Sequence, residues 1–232
     1  MVKIVEVKSV TKDFGEDGII TRALRGVDLD LMAGEFTSMA GPSGSGKTTL
    51  LNIIGGLDRP TSGTVSIEGM EIHQLSAGQL SRLRRDRIGF IFQSYNLIPV
   101  LTAFENAEYV LMIQNMEKEE RRERVLRVLK EVGLEGLENR FPRELSGGQQ
   151  QRVAIARAIA PEPALILADE PTANVDSETA SSLMDLLRRL NEEKGVTFLF
   201  STHDQAVMKR AGRLIRLQDG RIIEDNLQTG NR

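Results

Sequence analysis

One stretch constrains this chain more than any other: Gly41-Pro42-Ser43-Gly44-Ser45-Gly46-Lys47-Thr48. It follows a strand-like run, Glu35 to Ala40, and precedes a run that reads as a helix from Lys47 to Ile54. Glycines at this spacing let the backbone curl until several N–H groups point inward at phosphate oxygens. The helix beginning at the end of the loop adds partial positive charge. In that setting Lys47 is expected to reach the β- and γ-phosphates of ATP, and the Thr48 hydroxyl to bind Mg2+. Thr49, next on the helix, is expected to line the same site.

The rest of the chain reads as an α/β protein. Val5 and Val7 alternate with polar residues, as do Val27, Leu29 and Leu31, the mark of half-buried strands. Thr64 to Ile67 reads as an edge strand and Ile88 to Phe92 as a short apolar one. From Thr102 to Val132 the pattern turns helical, with Val125, Val128, Leu129 and Val132 on one face. The charged run Glu117 to Arg124 predicts i,i+4 pairs Glu117/Arg121 and Glu120/Arg124. After Pro161, a strand (Ala164 to Ala168), a helix (Ser177 to Lys194) and a strand (Val196 to Phe200) restore the alternation of an α/β core. Leu214 to Ile223 predicts a hairpin turning at Asp219-Gly220. The last few residues are polar and expected to fray.

Composition excludes several classes. With 232 residues, 40% of them hydrophobic and 27% charged, the chain has mass enough for a real core. A net charge of -3 is no nucleic-acid footprint, and the cluster Arg82, Arg84, Arg85, Arg87, lacking interleaved aromatics, reads as a solvated helix face. Without cysteine there is no disulfide framework, which fits a reducing cytoplasm. No apolar run approaches the roughly 18 residues of a membrane span.

Two further stretches carry chemistry. The apolar run Leu165 to Ala168 ends in Asp169-Glu170. Beside a phosphate loop, Asp169 is placed to hold magnesium and Glu170 to orient or deprotonate an attacking water. Leu145-Ser146-Gly147-Gly148-Gln149 precedes a helical run from Gln150 to Ala160, and Ser146 with Gln149 has capping-box spacing. Paired glycines in a first turn are poor helix formers. They make sense if a ligand approaches the backbone closely. The chain therefore has two helix N-termini suited to phosphate. A two-fold dimer with each P-loop facing the other copy's Ser146 loop is one symmetric way to use both.

With these motifs together, the chain resembles the ATP-binding subunits of ABC transporters over nearly its whole length. The resemblance implies an α/β P-loop NTPase core with a small antiparallel β subdomain and a helical subdomain insertion. It implies one domain over 1–232: core and β subdomain at 1–93 and 161–232, and the helical subdomain with the signature loop at 94–160. Gln93 matches the glutamine that contacts Mg2+ and senses the γ-phosphate. His203 matches the switch histidine, whereas His73 has no such context and reads as structural. Asp176 matches the loop that crosses the dimer seam. Phe14 stands where the family has a tyrosine stacking on adenine; it keeps the π-face, worth about 1–3 kcal/mol in stacking, and a core position is the rival reading. Catalysis is thus expected at Lys47, Gln93, Glu170 and His203, magnesium at Thr48, Gln93 and Asp169, and nucleotide contact at Phe14, residues 41–49 and Ser146 to Gln149.

Gly56-Leu57-Asp58-Arg59-Pro60-Thr61-Ser62-Gly63 and Ile88 to Pro99, followed by Leu101 to Asn106, resemble the macrolide-efflux and lipoprotein-release branch. The resemblance implies integral-membrane permease partners, a homodimer around two Mg-ATP, and a peripheral place on the cytoplasmic face of a bacterial inner membrane. Ser94 to Thr102 would receive the permease's coupling helix. A division-linked or regulatory membrane complex using the same ATPase is an alternative. A soluble ribosome-associated protein would carry two ATPase units, and a chromosome ATPase a long coiled coil; this chain has neither.

Overall fold

The computed structural model describes residues 2–15 and 20–228. Residues 229–232, on which the expected fraying falls, lie outside them. Two sheets share the strands. β1 (Lys3–Phe14), β2 (Thr21–Met32), β4 (Ser62–Ile67) and β5 (Met70–Glu71) form an antiparallel sheet in the order β2-β1-β4-β5. β4 is therefore an interior strand rather than the expected edge. The turn at Glu68-Gly69, both at positive φ, returns the chain as two-residue β5, which takes the edge.

The second sheet runs β10-β9-β3-β8-β7-β6, from β3 (Phe36–Ala40), β6 (Ile88–Ile91), β7 (Leu165–Asp169), β8 (Thr197–Thr202), β9 (Arg213–Gln218) and β10 (Arg221–Leu227). It is parallel from β9 to β6, and β10 folds back antiparallel through Asp219-Gly220 as expected. Both turn residues have positive φ, 47° and 74°, the combination a tight two-residue hairpin needs. β3 and β8 are buried at every position because both sheet faces are covered. Alternation then sorts their side chains. Phe198 and Phe200 enter one core with Ile166, and Leu199 enters the other with Leu165 and Leu167. Each buried phenylalanine contributes about 1.5–3 kcal/mol.

α1 (Lys47–Ile54) and α2 (Ala77–Arg87) belong to the core that β1 and β2 share. Between β6 and β7 come α3 (Ala103–Ile113), α4 (Lys118–Glu131) and α5 (Gly147–Ile159); α6 (Ser177–Lys194) and short α7 (Gln205–Met208) complete the order. The helical stretch from Thr102 breaks at Asn115, whose φ is 58°. That break changes one ion pair. Glu117 caps α4 by accepting from Glu119 N at 2.7 Å, while Arg121 turns to Glu108 of α3 at 2.6 Å. The expected Glu117/Arg121 pair gives way to a cap and an interhelical bridge; Glu120/Arg124 forms at 3.4 Å. Arg82 is exposed as expected of a solvated face, but Arg84 donates to Gly56 O, and Arg85 and Arg87 pair with Asp86 and Glu68.

Candidate functional site

The strand order places the chemistry. β3, β8, β7 and β6 lie side by side and parallel. At their carboxyl ends stand the P-loop after β3, His203 after β8, Asp169-Glu170 at β7, and Gln93 just past β6. Ligands of open parallel sheets bind at this end.

A cleft of about 290 Å3 opens there. It is lined by Ser43, Gly44, Gly46, Lys47, Thr48 and Thr49 of the loop and α1, with Gln93, Asp169, Glu170 and Ala23 of β2. α1 is the one helix among the described α-helices with no side-chain cap at its N-terminus, so its first amides face the cleft unclaimed by any side chain. Gly46 makes this possible. Its φ is 105°, and a Cβ would lie 2.7 Å from Ala23 O. Gly41, Pro42 and Ser45 are not part of the cleft lining. Lys47 is buried, its ammonium donating to Gly41 O at 2.8 Å and Pro42 O at 3.0 Å. These bonds hold the charge at the loop that would carry phosphate.

The two acids are held differently. Asp169 Oδ2 accepts from Thr48 Oγ1 at 2.9 Å, and Oδ1 accepts from Ser201 Oγ. Thr48, Asp169 and Gln93 thus offer a hydroxyl, a carboxylate and an amide around one cleft. Hard oxygen donors of this kind fit Mg2+, which uses one or two protein ligands plus phosphate and water. No cluster of three or more His, Cys, Asp or Glu fit for a metal occurs among the described residues. Glu170 has φ 47°, outside the regions most residues prefer. Its Oε2 lies 2.8 Å from His203 Nδ1, and His203 is 69% exposed. The histidine lines a neighbouring hollow of about 180 Å3 that shares Glu170 with the cleft.

Other expected residues lie apart. Phe14 is 46% exposed at the end of β1 and outside the cleft lining; Lys12 Nζ sits 4.8 Å from its ring centroid. Ser146 caps α5 by accepting from Gln149 N at 3.3 Å, and Gln149 Oε1 accepts from Ser146 N. The glycines beside it are packed within this chain. A Cβ on Gly147 would lie 2.9 Å from Tyr95 Oη, and one on Gly148 2.5 Å from Thr179 Cγ2. Asp176 caps α6 through Thr179 N and Oγ1, and these bonds hold its carboxyl below the ordinary range.

Sequence reasoning missed a set of supporting residues. Asn174 Nδ2 donates to Gln93 O at 2.8 Å, and Tyr95 Oη donates to Asn174 O at 3.2 Å. Burial pushes the Tyr95 phenol up, keeping it a donor. Arg157 of α5 donates to Tyr95 O and Asn96 O, two residues at positive φ. The segment after Gln93 is thereby tied to both α5 and the Asn174 loop. Beside it lies an apolar groove of about 560 Å3, lined by Leu57, Phe90, Phe92, Tyr109, Ile113 and Arg85 among others.

Comparison with known proteins gives concordant results. The family described as ABC transporter matches residues 24–173. An uncharacterized ABC transporter ATP-binding protein of Methanocaldococcus jannaschii, MJ0796, is 50% identical over 231 residues, covering 98% of each chain. Its dimeric structure in a post-hydrolysis state bound to ADP and Pi superposes with a TM-score of 0.91 at 48% identity, covering 98% of this chain and 100% of that one. The lipoprotein-releasing system ATP-binding protein LolD of Anaeromyxobacter dehalogenans is 46% identical over 95% of this chain and 93% of its own. The macrolide export ATP-binding/permease protein MacB of Mannheimia succiniciproducens is 44% identical over 97% of this chain, which spans 35% of MacB.

Proposed function

The chain belongs to the ABC transporter family of ATP-binding proteins and hydrolyses ATP, and from that premise we propose that two copies close on two Mg-ATP to drive a membrane complex of the lipoprotein-release or macrolide-export kind. In this reading Lys47 and the loop amides hold the phosphates. Thr48, Asp169 and Gln93 hold Mg2+, which would neutralise phosphate charge. Glu170, oriented by His203, directs or deprotonates the attacking water. Ser146, Gly147 and Gly148 meet the γ-phosphate of the nucleotide bound to the other copy, and Asp176 lies at the seam.

The observation that carries the reading is the separation of two phosphate-suited helix ends within one chain. The Ser146 loop packs on Tyr95 and Thr179, and none of its residues lines the cleft of Lys47. A nucleotide on the P-loop meets such a loop by way of a second copy. Hydrolysis removes the γ-phosphate bridge, and the different affinities of ATP and ADP for the closed state supply the work. No described helix is long and apolar enough to cross a membrane. In this reading a permease makes the contact with the membrane, and its coupling helix would seat between Ser94–Thr102 and the groove of Tyr109 and Ile113. In the same reading the chain sits on the cytoplasmic face of that membrane.

The test is Glu170→Gln in the native host with Mg-ATP, followed by gentle solubilisation. A stable ATP-bound dimer without turnover, co-purifying with a membrane protein bearing a large external domain, is expected. Hydrolysis at the wild-type rate removes Glu170 as the water-directing group. A many-span channel partner moves the assignment to another transporter branch. Recovery of ribosomes, DNA or nothing leaves the ATPase standing and sinks the transporter.

A further inference from the structure

We propose that Ser201 is a positioning residue for ATP hydrolysis: its one buried hydroxyl fixes the carboxylate of Asp169 and the main chain of Glu170 together. This rests on the roles proposed above for those two acids. Ser201 is fully buried in β8 and stands opposite Asp169 in the parallel β7–β8 ladder. Its Oγ donates to Asp169 Oδ1 and accepts from Glu170 N–H at 3.0 Å. An ionised carboxylate only accepts and an amide N–H only donates, so the hydroxyl is oriented at both ends.

Two features make this more than the filling of a buried polar site. Asp169 has two anchors, Thr48 on Oδ2 and Ser201 on Oδ1. Thr48 is itself an expected magnesium ligand; Ser201 is not, so its bond does not compete with the cation. Partners of this outer kind orient a metal-binding carboxylate. Glu170, in turn, is held at φ 47°, a conformation that persists only where the surroundings enforce it. Ser201 holds its amide, and His203, two residues further on, holds its side chain through Nδ1 at 2.8 Å. β8 therefore grips both acids from one side.

The experiment compares Ser201→Ala, Ser201→Thr and Ser201→Val, with Asp169→Asn and Glu170→Gln alongside. Threonine and valine share a shape and differ in the hydroxyl, so this pair is informative even if the alanine variant does not fold. Two readouts are taken: steady-state ATPase, and the Mg2+ midpoint for binding trinitrophenyl-ATP, which needs no turnover. Alanine and valine are expected to lower kcat about 10–100-fold and raise the Mg2+ midpoint roughly tenfold. KM for ATP should stay within about twofold, and threonine should restore both quantities. Folded alanine or valine variants with wild-type kcat and Mg2+ midpoint overturn the proposal, as does threonine impaired equally with valine. If Asp169→Asn and Glu170→Gln hydrolyse ATP normally, the assignment of the acids falls. If those two are inactive and Ser201→Ala is not, only the role of Ser201 falls.

Discussion

Asn106 offers a stability test that can be worked from its geometry. It lies fully buried in α3, and its side chain reaches back to the segment expected to meet a permease. Its Oδ1 accepts from Ile98 N at 2.8 Å. Its Nδ2 faces Ile98 O at 3.1 Å, Leu101 O at 3.0 Å and Thr102 O at 3.0 Å. An amide nitrogen has two protons, so the three carbonyls share two donors and the side chain makes three bonds' worth of interaction. At ~1 kcal/mol each, truncation removes about 3 kcal/mol. Ile98, Leu101 and Thr102 are half-buried, so water can reclaim part of this, and about 2–3 kcal/mol is the expected loss. For a chain of this size each kcal/mol moves Tm by about 2–4 °C, so Asn106→Ala should melt ~4–12 °C lower. Asn106→Asp should cost at least as much, because it sets a carboxylate against three carbonyl oxygens and supplies no donor. Urea unfolding with matched m-values is the assay. An alanine variant within about 0.5 kcal/mol of wild type would refute the reasoning, since that is the scale of an ordinary surface substitution.

Gly148→Ala should destabilise by about 1–3 kcal/mol through its contact with Thr179 Cγ2; Thr179→Ser, which deletes that methyl and keeps the hydroxyl, should recover most of the loss in a double-mutant cycle, and an additive cycle refutes the contact. Asp176 gives a pH prediction. Its folded-state pKa lies below the ordinary 3.8 because Thr179 donates to it, so its contribution is present above about pH 4 and lost as pH falls through the folded value. The gap in urea midpoint between wild type and Asp176→Ala should therefore be open at neutral pH and close on acidification; a gap constant down to about pH 3 refutes the cap.

Much of the fold was legible because physics wrote it in contiguous residues. Leu165 to Ala168, buried on both faces of its sheet, reads as an apolar run, and the phosphate loop after Phe36–Ala40 is defined by glycine spacing. β1 and β2 were legible only in part. Each runs 12 residues with its charged positions exposed or half-buried, and shifts in register near Val7, Val10 and Lys12 interrupt the alternation that marks a strand. β4 is interior rather than at the edge because of a two-residue partner, β5, too short to show a pattern. The Glu117/Arg121 pair failed because the turn at Asn115 makes Glu117 a cap, which helical spacing alone does not reveal. Ser201 was hidden for another reason. In Phe200-Ser201-Thr202 it looks like a strand residue, and only the register opposite Asp169 makes it part of the site.

The paired glycines show how one feature can answer two demands. Their sequence argument was close approach of a ligand; their structural surroundings, Tyr95 at Gly147 and Thr179 at Gly148, also forbid side chains. The demands are compatible because they act on different atoms: the packing concerns the Cβ positions, whereas a phosphate would meet the N–H groups. The two helix ends then differ in strength. α1 has no side-chain cap, whereas Ser146 already occupies Gln149 N at the start of α5. An uncapped end beside a buried lysine is the stronger anion site on its own. Under the proposed function, nucleotide fills the P-loop first, and the weaker Ser146 site is completed only when a second copy brings it to a phosphate already held. Dimer closure then reports that ATP is bound, because a cleft without nucleotide offers the other copy's Ser146 loop no phosphate to meet.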